Sequence, residues 1–352
     1  MTPGALVLYL LVAAGITALA AGLHVAFWGW WLRVEPEVDE VLRATTRDGW
    51  TLALSRRRPT GPLRRSPPVL LVHGLAMNRQ AFDFGVESHS LAARLSRDGF
   101  DCFMLDLRGH GLSRRGPSRH WNLDDYLGLD FPAALDAVRE ATGEPDVLWV
   151  GHSQGAILGL AACALYPDRI RAIAALAPPV VYDRQERVRR LVSWRRLPLA
   201  RHFRAVARWL SPLVGYWHPA IAQVALNSRN MERPIYRRFM ANGVENLQPG
   251  VLDQFATFVA ENSFRSADGA TDYRALLPRA HQPALFVSAE RDGLAPPAVV
   301  RAAFDLWGGP KAYWGAERGY GHVDLLLGRG VPDYVFPVVQ AFLDGNSAVH
   351  SR

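Results

Sequence analysis

The stretch VLWVGHSQGAILGL, residues 147–160, constrains the fold of this chain more than any other part of its sequence. Four apolar residues of strand character run into Gly151-His152-Ser153-Gln154-Gly155, and small or apolar residues at helical spacing follow. A strand that turns this sharply into a helix forces its tip residue into a strained conformation and lifts that side chain above the sheet edge. Gly151 and Gly155 are needed because a Cβ at either position would strike the neighbouring strand or helix. Ser153, at the tip, is the candidate nucleophile.

The surroundings of that turn predict an α/β fold. WTLALSRR from Trp50 reads as the start of an edge hairpin, PVLLVHG as a short buried strand, and DCFMLDLRGHG as another strand ending in a glycine-rich turn. Further apolar runs lie at 147–150, 173–176 and 284–288, with a weaker one at 312–314, and helical stretches such as DYLGLDFPAALDAVREATG separate them. Such alternation implies a mostly parallel sheet flanked by helices on both faces. From about Asp183 to His281 no strand pattern appears, and arginine, tryptophan and helical apolar spacing (Phe203, Val206, Ala207, Leu210) dominate, so this segment reads as a helical cap insertion. The resulting division is an anchor at 1–34, core at 35–182 and 282–346, cap at 183–281 and a tail at 347–352.

A serine hydroxyl is a poor nucleophile at neutral pH and needs a base within reach and a carboxylate to orient that base. In this type of fold they follow the serine in the order acid, then histidine. ALFVSAERDGLAPP places Asp292 in the turn after a strand, and YGHVDLLLG places His322 in a glycine-flanked loop before the last helix. Glu290 and Asp324 are the rival acids; His152, His110 and His120 are set aside as bases, being beside the elbow or in an early loop. Asp292 as a plain turn former and His322 as a surface or capping histidine are the structural alternatives. Charge developing on a substrate carbonyl oxygen needs amide donors. One is expected at Gln154, at a helix amino terminus, and the other at Leu75, with Ala76 the second choice. His73 and Gly74 support that loop, Gly74 by letting it pass close to the elbow.

Composition narrows the partners. With 352 residues, 49% hydrophobic and 21% charged, the chain can bury a full core and carry an insertion. The net charge of +7 could suggest nucleic acid, but Lys311 is the only lysine and no helix-turn-helix, zinc-ligand or RNA-binding signature is present, so no nucleic-acid partner is expected. Cys102 and Cys163 make no disulfide framework. Neither a metal nor an organic cofactor is required by the chemistry above, and the oligomeric state stays open.

Residues 1–31 contain no Asp, Glu, Lys or Arg, and ALVLYLLVAAGITALAAGLHVAF can cross a hydrocarbon core of ~30 Å as one helix. It closes on FWGWWLR, indoles suited to the headgroup level followed by Arg33. A retained membrane anchor is the preferred reading, because the segment opens without a basic residue and stays apolar beyond Ala18-Leu19-Ala20; a cleaved signal peptide, with export, is the alternative. Arg33, Arg43 and Arg47 then place the main domain on the cytoplasmic side by the positive-inside tendency. Nine arginines between Arg184 and Arg208, against Asp183 and Glu186, add a basic cap face that either faces water or meets anionic lipid.

The combination LVHG, DLRGHGLS, GHSQGA, AERDG and GHVDLLLG resembles the α/β-hydrolase superfamily over about 41–344. Within it, TRDGWTLALSRR, NLDDYLGLDFPAALDAVREATG and GHSQG look most like the acid (gastric and lysosomal) lipases, and the middle motif also resembles polyhydroxyalkanoate synthases. The resemblance implies Ser153 as nucleophile, Asp292 as orienting acid, His322 as base and an oxyanion loop at His73, Gly74 and Leu75. The synthases carry cysteine where this chain has Ser153, and dehalogenases and epoxide hydrolases need aspartate there; the RGHG form departs from the acid lipases. The implied activity is hydrolysis of small-molecule or lipid esters through an acyl-serine. The alternatives are an acyltransferase with the same triad, a non-catalytic binding protein that keeps the fold, and a purely structural membrane protein.

Overall fold

The computed structural model describes residues 2–114, 116–182, 188–189, 202–217 and 222–351. Its centre is one sheet built from β1 (Glu40–Thr45), β2 (Thr51–Arg57), β3 (Leu63–Val72), β4 (Phe100–Asp106), β5 (Val147–His152), β6 (Ile170–Leu176), β7 (Ala284–Ala289), β8 (Lys311–Ala316) and β9 (Ala348–Ser351). The order is β1-β2-β4-β3-β5-β6-β7-β8, with β9 pairing antiparallel to the first residues of β3. β1, β2 and β4 pair antiparallel, and every neighbour from β4 through β3 to β8 is parallel.

The helices used below are α1 (Pro3–Trp31), α2 (Leu91–Arg97), α3 (Phe131–Thr142), α4 (Gln154–Leu165), α5 (Phe203–Leu210), α6 (Arg233–Asn242), α7 (Pro249–Glu261), α8 (Pro297–Leu306) and α9 (Phe336–Gly345). Val69–Val72 in β3 and all of β5 are buried, as continuous apolar runs must be when both faces of a parallel sheet are covered. α4 is buried along nearly its whole length, which its uniformly apolar and small residues allow. The sheet and this helix form the core and fix the position of the turn between them.

Between β6 and β7 the described residues hold α5, α6, α7 and short helical turns, and no strand longer than an isolated bridge. Most of the arginine-rich run from 184 to 208 lies outside the described residues. Two of the places where the described part of the insertion is tied to the core lie beside the candidate site. Met77 bridges Val244 and the Glu245 amide donates to Ala76 O at 2.8 Å, while the Val323 amide donates to Ala225 O at 2.9 Å. The insertion therefore touches both the loop after β3 and the loop after β8.

α1 is exposed throughout residues 6–23. Its last turns are not: His24, Val25, Trp28, Gly29 and Leu32 form a helical stripe that is partly or fully buried. Asn242 Nδ2 donates to Leu32 O at 2.8 Å, the Arg237 guanidinium lies 5.2 Å from the Trp28 ring, and His24 Nε2 donates to Trp209 O at 3.0 Å.

Candidate active site

Ser153 sits between β5 and α4 with φ 53° and ψ −114°, a left-handed conformation that a non-glycine residue adopts only where its surroundings impose it. Its amide is fastened to Leu176 O at 2.8 Å on β6, and its own carbonyl accepts from the Ala156 and Ile157 amides as α4 begins. A Cβ on Gly151 would come to 2.3 Å from Gly155 O, and one on Gly155 to 2.1 Å from Val72 O. Both contacts are to backbone, so neither neighbour can step aside cheaply. The two glycines let strand, turn and helix close on one another and leave the serine at the tip.

The acid and the histidine meet as a pair. His322 Nδ1 donates to Asp292 Oδ2 at 2.6 Å, with both side chains almost fully buried. Asp292 Oδ1 accepts from the Leu294 and Ala295 amides, each at 2.7 Å, so the carboxylate cannot rotate away from the imidazole. Asp292 stands three residues beyond the end of β7, and His322 in the loop after β8, so adjacent parallel strands deliver the pair. The rivals lie elsewhere: Glu290 is exposed and accepts from the Gly319 amide at 2.8 Å, while Asp324 is buried and accepts from the Gly321 and Asn227 amides. Burial is the main cause that pushes the Asp324 carboxyl up to about 6.

His152 links the pair to the elbow. Its Nε2 donates to His322 O at 3.0 Å and the two rings lie 4.7 Å apart. Complete burial keeps the His152 imidazole well below the usual histidine range, so it stays neutral in the fold. Sequence spacing places His152 beside the elbow; only the folded chain shows which carbonyl it holds. Of the other histidines set aside as bases, His110 is buried 5.2 Å from the His73 ring, and His120 is exposed.

The loop after β3 approaches the serine closely: a Cβ on Gly74 would fall 2.9 Å from His152 Nδ1 and 3.2 Å from Ser153 Cβ. The Leu107 amide donates to His73 Nε2 at 3.2 Å, which fixes the tautomer with the proton on Nδ1, and Nδ1 donates to Gly74 O at 2.9 Å. Burial draws the His73 imidazole down to about 4, consistent with that neutral form. Gly74 O also accepts from the Met77 amide. Because a trans peptide points its N–H opposite to its C=O, holding Gly74 O on one side turns the Leu75 N–H to the other. The Gln154 amide opens α4, where the first N–H groups have no helical carbonyl to bond. Ala76, the second choice for a donor, has φ 56° and its carbonyl is engaged by Glu245.

A family profile described as the alpha/beta hydrolase fold matches residues 67–328. The chain belongs to the α/β-hydrolase family. Within that family it resembles the acid lipases: it is 34% identical over 153 residues to Lipase 1 of Drosophila melanogaster, covering 40% of this chain and 34% of that protein. It is 30% identical over 174 residues to the lysosomal acid lipase/cholesteryl ester hydrolase of Macaca fascicularis, covering 45% and 42%. The chain thus spans less than half the length of these curated relatives. Among solved structures, the enol-lactonase from Burkholderia xenovorans LB400 shares the fold at TM-score 0.61 and 20% identity, over 86% of this chain and all of that one.

Proposed function

We propose that this α/β hydrolase is a membrane-held serine ester hydrolase whose site is Ser153, His322 and Asp292, with Leu75 and Gln154 donating to the oxyanion. The observation that carries the reading is the buried His322–Asp292 pair at 2.6 Å, joined through His152 to a serine held at φ 53°. Asp292 accepts the Nδ1 proton, so the Nε2 lone pair is the one available to Ser153. Ser153 Oγ attacks the ester carbonyl as His322 Nε2 takes its proton, and the same proton then goes to the leaving alcohol. The Leu75 and Gln154 amides meet the carbonyl oxygen as it becomes negative, each such donor contributing about 3 kcal/mol to lowering the barrier. Water deprotonated by His322 then attacks the acyl-serine and releases the acid. None of these steps draws on a metal or cofactor.

The substrate class we infer is a hydrophobic, lipid-like ester. Its support is the apolar α1, long enough to span a bilayer, and the insertion that meets both loops of the site, which together bring the site to lipid. The relatives named for lipase and cholesteryl ester hydrolase activity agree with that class. On this reading residues 1–34 are a retained anchor, 183–281 a cap, and the domain lies on the cytoplasmic side.

Two experiments test the proposal on purified full-length protein. A fluorophosphonate probe should label wild type and leave Ser153→Ala unlabelled. A series of p-nitrophenyl and glyceryl esters of rising chain length should show turnover that disappears in the same variant. Labelling that persists in Ser153→Ala removes Ser153 as nucleophile, and a strict preference for the shortest soluble esters removes the lipid-like class.

A further inference from the structure

The contacts of α1 with the insertion set a depth scale. Counting back along α1, Leu32 meets Asn242, Trp28 meets Arg237, and His24 meets Trp209. α6 therefore runs beside α1 with its first residue, Arg233, farthest from the core, about one helical turn beyond Arg237. There Arg233 lies 3.3 Å over the Tyr216 ring, so Tyr216 and the turn around it share the level of His24. Residues 3–23, at about 1.5 Å each, reach about 31 Å, the thickness of a hydrocarbon core. A bilayer spanned by this helix then ends at the level of His24 and Trp209.

At that level the described residues of the insertion present an exposed apolar surface. Trp209, Leu213, Tyr216 and Trp217 are 46%, 47%, 65% and 60% exposed, whereas Phe239, Phe258 and Phe264 of the same insertion are buried. The tip they form is continuous with α1 through the His24 and Trp209 rings, 5.9 Å apart. Arg233 and Arg237 stand over aromatic rings at the same edge, an arrangement of indole, phenol and guanidinium that suits the boundary between acyl chains and phosphates.

We propose that the tip Trp209–Leu213–Tyr216–Trp217 is an interfacial docking surface that inserts into the phospholipid bilayer beside α1. It rests on the reading of α1 as a membrane anchor and adds to it a second point of attachment. A single spanning helix sets no tilt for the domain packed on its end; a second contact with lipid fixes the tilt of the insertion, and of the site loops it touches, against the lipid surface.

The test uses the full chain in vesicles of phosphatidylcholine and phosphatidylglycerol, with single cysteines carrying a bimane at Leu213→Cys, Trp217→Cys, Val12→Cys and Asp305→Cys. The native Cys102 and Cys163 are fully buried and give no background. Spin-labelled lipids with shallow nitroxides should quench the labels at 213 and 217, deep nitroxides the label at 12, and iodide in water only the label at 305. Labels at 213 and 217 that respond to iodide as 305 does, while 12 is quenched by lipid, overturn the docking surface and leave the anchor standing. A label at 12 that lipid does not quench removes both. Independently, Leu213→Ser with Trp217→Ser should raise KM for a vesicle-borne ester about fivefold or more, through lost interfacial burial, without changing turnover of a short soluble ester. An unchanged KM on vesicles refutes the proposal.

Discussion

Asp324 offers a quantitative test of how the site loop is built. Its carboxylate is fully buried two residues from His322 and accepts from the Gly321 and Asn227 amides, which ties the His322 loop to the insertion. Burial lifts its pKa from 3.8 to about 6. A carboxyl group whose pKa is raised on folding binds its proton more tightly in the native state than in the unfolded one. Its penalty is absent below about pH 4, grows as pH rises through the window between 4 and 6, and is complete above that. A shift of about two units corresponds to ~3 kcal/mol. Asp324→Asn keeps an oxygen that can accept both amides and removes the ionisation. About a third of that penalty is already present at pH 4.5, so the variant should gain on wild type by ~2 kcal/mol, or roughly 3 °C in melting temperature, between pH 4.5 and pH 8. Taking the difference between the two proteins at each pH cancels other titrating groups, including His73, whose burial acts with the opposite sign. Thermal scans of both proteins in the same detergent across that range read the effect directly. A gap between the two melting temperatures that stays constant from pH 4.5 to 8 refutes the argument, because it would mean that Asp324 does not titrate differently on folding.

Three further outcomes are expected. Ser153→Ala and His322→Ala should each abolish nearly all ester turnover, and the double variant should lose little more, since nucleophile and base act as one unit; clearly additive losses in purified protein would contradict the assignment. Ser153→Gly should also be inactive yet melt higher than Ser153→Ala, because relief of the φ 53° strain, on the order of 1–3 kcal/mol, exceeds the ~1 kcal/mol entropic cost of glycine; equal melting points would show that the elbow stores no strain. Gly155→Ala should destabilise by about 3 kcal/mol or more through its 2.1 Å approach to Val72 O, whereas Gly345→Ala, in open space at the end of α9, should be neutral or slightly stabilising; similar melting shifts for the two would separate the elbow from its packing argument.

The local parts of this protein are legible in the sequence because each is dictated by near neighbours. Strand-turn-helix at 147–160 follows from an apolar run, two glycines and a small-residue helix. The parallel sheet follows from alternation, and the apolar length of α1 from twenty-odd residues without charge. Position after the serine, in a turn that follows a strand and in a glycine-flanked loop, nominates the candidate partners Asp292 and His322, and the resemblance implies the same pair. What decides between Asp292 and Glu290, two residues apart in one turn, is which carboxylate faces the loop after the next strand, and sequence spacing carries no such direction. His152 holding the His322 carbonyl, His73 orienting the Gly74–Leu75 peptide, Asp324 joining the loop to the insertion, and β9 pairing with β3 all join residues far apart in the chain. The same is true of the insertion tip set against α1 at the level of His24. Such contacts depend on the order and register of strands and on how helices pack, which are properties of the whole chain at once. Local chemistry is written residue by residue; the geometry that makes it a site is set only when the sheet closes.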